Sequence, residues 1–160
     1  MRSPDRFEDH RPMKLAGLRR IYAMADSPAQ IPVAWRAFIE TLPLPGQVGS
    51  VTYGAGGGAD PAAGTFDYLC GVEVETFAGQ APETGKMQVP AAHYAVFIHE
   101  GPTAAIRETI GAAHHWLKTN GEWSDGHTPT FERYGPGFDP VTGGDTEIWL
   151  PVVRTESTSP

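Results

Sequence analysis

Cysteine is almost absent from this 160-residue chain, in which Cys70 is the only one. An intramolecular disulfide and a cluster of thiolate metal ligands are therefore excluded, and a reducing cytoplasm is the simplest location. Long apolar runs are missing too, since none approaches the roughly 20 residues that span a bilayer. The charged first residues also lack the apolar segment of a signal peptide. We expect a cytoplasmic protein without a membrane segment.

Positive charge is scarce as well, because 12 Lys and Arg residues against 19 Asp and Glu residues give a formal net charge of -7. Proteins that bind nucleic acid concentrate Lys and Arg on one face, and this sequence shows no such cluster. The segment before the first predicted strand, residues 1–14, is too short for a helix-turn-helix. The sequence therefore predicts no direct DNA binding by this chain.

Motifs for metals, phosphates and nucleophilic catalysis are missing. The six histidines show no ligand spacing, and the adjacent His114 and His115 would point about 100° apart on a helix. The Gly56-Gly57-Gly58 cluster has neither the GK[ST] ending nor the GxGxxG spacing of a nucleotide loop. There is no GxSxG, and Cys70 lies in an apolar strand, where an inert thiol is expected. We predict no metal and no cofactor.

Glycine and proline are frequent, with 19 and 15 residues, and they divide the chain into short elements. Apolar and aromatic periodicity predicts two helices, over residues 28–42 and from Thr103 to Leu117. It also predicts six strands, over residues 15–24, 48–53, 66–75, 92–99, around 132 and 146–153. The stretches 76–88 and 121–129 are predicted as connectors.

The order strand-helix-strand-strand occurs twice, in halves at about 15–80 and 90–153. Tyr53-Gly54 matches Tyr134-Gly135 at the same displacement that relates Phe66-Asp67-Tyr68 to Glu147-Ile148-Trp149. Neither half buries a sheet face alone, so we expect an α+β fold in which two pseudo-twofold halves share antiparallel sheet, with both helices packed behind it. Residues 1–14 are predicted as a flexible leader and residues 154–160 as a tail.

A carboxylate among aromatic residues is the strongest candidate for a site. Strand alternation places Glu132 and Tyr134 on one face, and Phe131 and Arg133 on the other. Two interpretations remain: an edge strand with Glu132 solvated or paired with Arg133, and a pocket carboxylate walled by rings. The candidate wall consists of Trp35, Tyr53, Tyr68, Trp116, Tyr134 and Trp149. Core packing is the alternative for each ring.

Four segments in order resemble the GyrI-like small-molecule-binding domain, which is also the effector-binding domain of some AraC- and MerR-type transcription regulators. They are Tyr94-Ala95-Val96-Phe97-Ile98-His99-Glu100-Gly101-Pro102, Trp116-Leu117 at a helix end, Phe131-Glu132-Arg133-Tyr134 and Glu147-Ile148-Trp149-Leu150-Pro151-Val152. Trp35, Val51-Thr52-Tyr53-Gly54 and Phe66-Asp67-Tyr68 agree in the first half. The resemblance spans residues 15–153 and implies a ligand cleft between the halves, with aromatic walls and a glutamate that matches Glu132.

Three functions follow from this resemblance. The first is a stand-alone domain that binds hydrophobic aromatic compounds, including cationic ones, for multidrug-type sensing or sequestration. The second is a hydrolase of reactive, DNA-alkylating cyclopropane compounds, in which Glu132, Tyr53 and Tyr134 would be catalytic. The third is a protein that interacts with a topoisomerase or a regulator. Whether hydrolysis occurs, and whether the partner is another protein or a second copy of the chain, are left open.

Overall fold

An antiparallel sheet of nine strands and two α-helices make up the protein, for which a computed structural model describes residues 2–155. A 3-10 turn, Thr103–Ala105, leads into the second helix. The elements are β1 (Arg6–His10), β2 (Met13–Ala23), α1 (Ser27–Ile39), β3 (Gln47–Asp60), β4 (Thr65–Val74), β5 (Gly85–Val89), β6 (Ala92–His99), α2 (Ile106–Thr119), β7 (Trp123–Asp125), β8 (Thr130–Tyr134) and β9 (Thr146–Arg154). Neither helix of this described part is long and apolar enough to cross a membrane.

The strand order confirms the predicted α+β fold with two similar halves. Strands are arranged as β1-β6-β9-β8-β3-β4-β2-β5, and β7 pairs with the end of β9. The first half contributes β2, α1, β3 and β4, and the second contributes β6, α2, β8 and β9. Their central strands, β3 and β8, pair with Gly54 opposite Glu132. The order on either side of this pair is mirrored, as a pseudo-twofold arrangement requires.

Three short strands lie where the sequence predicts irregular chain. Residues 1–14, predicted as a leader, contain β1, which pairs with β6, and the first residues of β2. The connector predicted over residues 76–88 contains most of β5, and the loop before Pro129 contains β7. These strands show little apolar alternation, and pairing with longer neighbours orders them. Of the predicted tail, Arg154 ends β9, and residues 156–160 lie outside the described part.

Both helices pack on one face of the sheet, which we call the helix face. From α1, Ala34 and Phe38 join a buried cluster with sheet residues that include Cys70. From α2, Ala113 and Trp116 join a second cluster with sheet residues that include Ile148. The Arg107 guanidinium on α2 lies 3.5 Å from the Ser27 hydroxyl on α1, so the N-terminal ends of the two helices approach each other. The central strands β3 and β8 therefore form the floor between two helix-covered clusters.

The opposite face carries a third apolar cluster, made by strands from both ends of the sheet. Its members include Met13, Leu15, Tyr53, Leu69, Met87, Val89, Tyr94, Phe131 and Trp149, all of them buried. Two-residue links join β1 to β2 and β5 to β6, and such a link spans at most about 11 Å. The two edges of the sheet therefore lie close together, and the sheet curls around this cluster. Rings on this face belong to a core.

Candidate functional site

The Glu132 carboxylate lies on the helix face, between the two helix-covered clusters. Tyr68 donates a hydrogen bond to its Oε1 at 2.9 Å, and Tyr134 donates another to the same oxygen at 3.0 Å. The predicted alternation along β8 is confirmed, since Tyr134 reaches Glu132. Arg133 instead faces the other way, and its guanidinium lies 3.5 Å from Asp145 and 3.9 Å from Glu147. The alternative in which Glu132 pairs with Arg133 is therefore wrong.

Trp35 completes a directed chain of hydrogen bonds. Its indole Nε1 donates to the Tyr68 oxygen at 3.2 Å, and its ring lies 5.4 Å from the Tyr134 ring at an angle of 78°. An indole N–H only donates, so Tyr68 accepts from Trp35 and keeps its own O–H for Glu132. The carboxylate is thus the acceptor at the end of the chain. Bonds aligned in this way polarise one another and fix the carboxylate orientation.

The surroundings of Glu132 change its acidity. Burial raises the pKa of Glu132 to about 7, and the hydrogen bonds from Tyr68 and Tyr134 oppose that change. Glu132 nevertheless retains a small exposed surface. Burial, followed by the Glu132 charge, raises the pKa of both tyrosines well above the ordinary value. The same two causes raise the pKa of the Cys70 thiol to about 12. Near neutral pH only the carboxylate of this group changes its charge.

Gly54 makes the contact between Tyr68 and Glu132 sterically feasible. A Cβ atom at this position would overlap the Tyr68 hydroxyl and would lie 2.7 Å from Glu132 Oε1. The sequence predicts a strand that ends at residue 53, whereas Gly54 lies inside β3. Its place in the site was not predicted. Only the pairing register, which sets Gly54 opposite Glu132, reveals its role.

Tyr53 and Trp149, both predicted in the pocket wall, lie on the opposite face of the sheet. Tyr53 pairs with Arg133, and its ring contacts Phe131 at 5.6 Å. Trp149 stacks on Phe131 at 5.2 Å. One residue along a strand reverses the side-chain direction, so Tyr53 points away from Glu132 although Gly54 faces it. The structure therefore does not bring these two rings together with Glu132, and Tyr53 does not reach the carboxylate as the predicted catalytic pairing requires.

Trp116 lies on the helix face but away from the carboxylate. From α2, its ring packs against the sheet, with its centroid 5.7 Å from that of Phe97 and 6.0 Å from that of Phe7 in β1. This position is in the second helix-covered cluster, toward the edge of the sheet. Of the predicted wall, the structure brings together Trp35, Tyr68 and Tyr134 around Glu132. Phe138, which was not predicted, contacts the Tyr134 ring at 4.7 Å.

Two surface clefts lie away from this group. One, of about 390 Å³, is lined by His114, Asn120 and Trp123 near the end of α2. The other, of about 350 Å³, is lined by Arg6 and Trp149, among others, on the opposite face. At Glu132 the rings close directly on the carboxylate, so a bulky ligand requires the rings or helices to move apart. Within residues 2–155, no group of three or more His, Cys, Asp or Glu side chains is suited to hold a metal ion.

Comparison with solved structures shows that the fold is shared with several proteins, one of which was solved with a bound ligand. SAV2435, solved with bound tetraphenylphosphonium, is 20% identical and has a TM-score of 0.75 over 96% of this chain and 94% of that chain. The EcmrR C-terminal domain is 17% identical, with a TM-score of 0.67 over 94% and 97% of the two chains. An integron cassette protein of Vibrio cholerae is 17% identical, with a TM-score of 0.68 over 92% and 95%.

No curated protein matches the chain. The family described as the GyrI-like small molecule binding domain matches residues 6–153. This range includes β1 and the elements that carry Trp35, Tyr68, Glu132 and Tyr134. The chain belongs to the GyrI-like small-molecule-binding domain family.

Proposed function

We propose that this domain binds hydrophobic aromatic compounds, including organic cations, in the cleft over β3 and β8, for sensing or sequestration in the cytoplasm. The observation that carries the proposal is the Glu132 carboxylate, which is withdrawn from water and surrounded by rings. Both tyrosine hydroxyls donate to Oε1. Among the described residues, no hydrogen bond to Oε2 is present, so this oxygen is left for a ligand.

A cationic ligand fits this arrangement energetically. A carboxylate that is largely removed from water loses solvation, and a bound positive charge offsets that loss. The rings of Trp35, Tyr68 and Tyr134 supply faces for stacking and cation–π contacts, which strengthen as water is excluded. The apolar clusters on either side supply surface for the rest of an aromatic molecule. The bound tetraphenylphosphonium of SAV2435, a positive charge enclosed by four phenyl rings, supports this ligand class.

Replacement of the charge at Glu132 tests the proposal. Glu132→Gln keeps the shape and an acceptor oxygen, so we expect tetraphenylphosphonium to bind more weakly by about 1–3 kcal/mol, or about 5- to 150-fold. Triphenylphosphine oxide, which is neutral and carries similar rings, should change little. Calorimetric titration of both proteins with both compounds measures the difference. Equal changes for the two compounds, or none for either, would mean that Glu132 has a structural role only.

Hydrolysis of reactive small molecules is the second candidate, and the acidity of Glu132 is the observation that favours it. A general base works best when its pKa lies near the working pH, and the pKa of Glu132 is raised to about 7. The carboxylate would take a proton from water as the water oxygen bonds to an electrophilic carbon of the strained ring. A ring C–C bond to that carbon would break, and its electron pair would pass to the other part of the compound, which would then take up a proton. The Tyr134 hydroxyl lies 3.0 Å from Glu132 Oε1, as the predicted catalytic role requires. The Tyr68 hydroxyl also bonds this oxygen and would take the role predicted for Tyr53.

General-base catalysis contributes about 10²- to 10⁴-fold, which suffices for a strained ring but not for an ordinary amide. Incubation with a cyclopropane-bearing alkylating compound, followed by mass spectrometry, distinguishes turnover from binding. If the protein is a hydrolase, Glu132→Gln should abolish product formation and leave binding measurable. Recovery of the intact compound from the unmodified protein would reject this candidate and leave the binding function standing.

A further inference from the structure

The Tyr22 hydroxyl on β2 is buried without a hydrogen-bond partner. Tyr22 is 3% exposed, and within the described part of the chain no donor or acceptor reaches its oxygen. Buried polar groups are nearly always paired, because an unpaired hydroxyl keeps the cost of its lost hydration. A phenylalanine would fill the same space without that cost. The hydroxyl therefore lacks a hydrogen bond that a bound molecule could supply.

The strand pattern places Tyr22 on the helix face, within the cluster covered by α1. Its ring meets the Tyr68 ring edge to face, with centroids 6.3 Å apart. Burial, followed by the nearby Cys70 thiol, raises the pKa of the Tyr22 hydroxyl. Cys70 in turn lies close enough to Glu132 for the carboxylate to raise its pKa after burial does. The Tyr22 ring thus lies beside Tyr68, in the cluster covered by α1 and next to the residues that contact Glu132.

Arg20, which is exposed, adds a positive charge near Tyr22, opposite in sign to that of Glu132. It pairs with Tyr68 in the sheet register and lies on the same face as Tyr22, two residues earlier. Its positive charge favours hydrogen-bond acceptors and disfavours a second cation nearby. One end of the cleft therefore suits a positive charge. At the other end lies the buried Tyr22 O–H, near an arginine.

We propose that the Tyr22 hydroxyl is a second polar contact for the ligand, which donates a hydrogen bond to an acceptor group that an aromatic cation carries away from its charge. The inference rests on the proposed function and specifies its ligand class. Carbonyl and ether oxygens are acceptors of this kind. A compound that carries a positive charge and a distant acceptor oxygen can pair with the Glu132 carboxylate through the charge and accept a hydrogen bond from Tyr22 through the oxygen.

Matched phosphonium compounds test the inference by calorimetry. One series carries three phenyl rings and an arm that ends in a methyl ester, in several lengths, and the second series carries alkyl arms of the same lengths. We expect one ester length to bind about 3- to 10-fold more tightly than its alkyl match, as a neutral hydrogen bond predicts. Tyr22→Phe should remove this preference, so that each ester binds no more tightly than its alkyl match. Its melting temperature should equal or exceed that of the unmodified protein.

Tyr94→Phe is the control, because Tyr94 is fully buried in the cluster on the opposite face. It should keep the ester preference intact. An ester preference that is missing in the unmodified protein, or that survives Tyr22→Phe, overturns the inference. So does an equal loss for esters, alkyl compounds and tetraphenylphosphonium, since that result shows a packing role. Failure of the proposed function is distinct: tetraphenylphosphonium then does not bind at all, or Glu132→Gln leaves its affinity unchanged, and the inference falls with it.

Discussion

Binding of an organic cation should become tighter as pH rises through neutrality. Burial raises the pKa of Glu132 to about 7, so about 90% of the carboxyl is protonated near pH 6 and about 10% near pH 8. A cation gains Coulomb energy only with the ionised form. The affinity therefore rises with pH, because the cation binds the ionised form of Glu132, and that form is favoured at higher pH.

The magnitude follows from the same value. If tetraphenylphosphonium binds only the ionised form, its apparent affinity should rise about tenfold between about pH 6 and about pH 8. Near pH 7, each bound cation should release about half a proton, because binding and ionisation are linked. Tyr68, Tyr134 and Cys70 do not contribute, since the pKa of each is raised away from this range.

Calorimetric titration across this pH range measures both quantities, and buffers with different ionisation enthalpies report the proton count. Glu132→Gln is the control for the titrating group, and its affinity should not depend on pH. Triphenylphosphine oxide is the control for the ligand charge and should bind with little pH dependence. A flat profile in the unmodified protein, or a tenfold rise that persists in Glu132→Gln, would refute the assignment of Glu132 as the titrating group.

Three further predictions concern steric fit, stability and nucleic acid. Gly54→Ala should destabilise the protein by about 1–3 kcal/mol and abolish tetraphenylphosphonium binding, because its Cβ collides with Tyr68; urea unfolding should show no such loss for Gly111→Ala in α2, where the space is open. Glu132→Gln should stabilise the protein more at pH 8 than at pH 5. Because the folded-state pKa of Glu132 is raised to about 7, its ionised carboxylate costs up to about 3 kcal/mol of unfolding free energy above about pH 7, and this cost is absent below about pH 4.5. Equal effects at both pH values in urea unfolding would contradict this. Gel shifts at physiological salt should show no duplex binding, given the net charge of -7, and a salt-sensitive shift would disprove it.

The local part of the site could be predicted from the sequence, because strand alternation depends on neighbours along the chain. Alternation along β8 predicts that Glu132 and Tyr134 lie on one face, and the hydrogen bond between them confirms this. The contact with Tyr68 depends on the register of three strands, β4, β3 and β8. Periodicity within a single strand carries no information about that register, so Gly54 could not be recognised as the residue that permits the contact.

The fold could be predicted at the level of its two halves but not at its edges. Helix periodicity and long strands mark β2, α1, β6 and α2, because each buries a continuous apolar face. β1 reads as charged, irregular chain since Phe7 is its only large apolar residue. Its Phe7 ring packs against Trp123 at 4.9 Å and against Trp116, contacts between residues that are distant in sequence. Sequence patterns detect local burial, and these strands are ordered by distant partners.

The equal spacing of motifs in the two halves is not a structural equivalence, and this explains the misplaced rings. Both helices cover the same face, so equivalent strand residues must point to the same side. Tyr53 and Trp149 face the opposite side from Tyr134 and Tyr68, their matches by spacing. The matched motifs are therefore out of register by an odd number of residues, and any such shift reverses every side chain.

The site is consequently asymmetric, although the fold is nearly symmetric. The first half supplies Trp35 and Tyr68, and the second half supplies Glu132 and Tyr134. Neither half alone contains both the carboxylate and the hydrogen-bond chain that orients it. On the side of α2, the residues that pack on the sheet are apolar, and some of them, such as Ile110, are only partly buried. In the proposed binding mode, a ligand would meet a polar aromatic wall under α1 and an apolar wall under α2, and this difference would set the orientation in which a cation reaches Glu132.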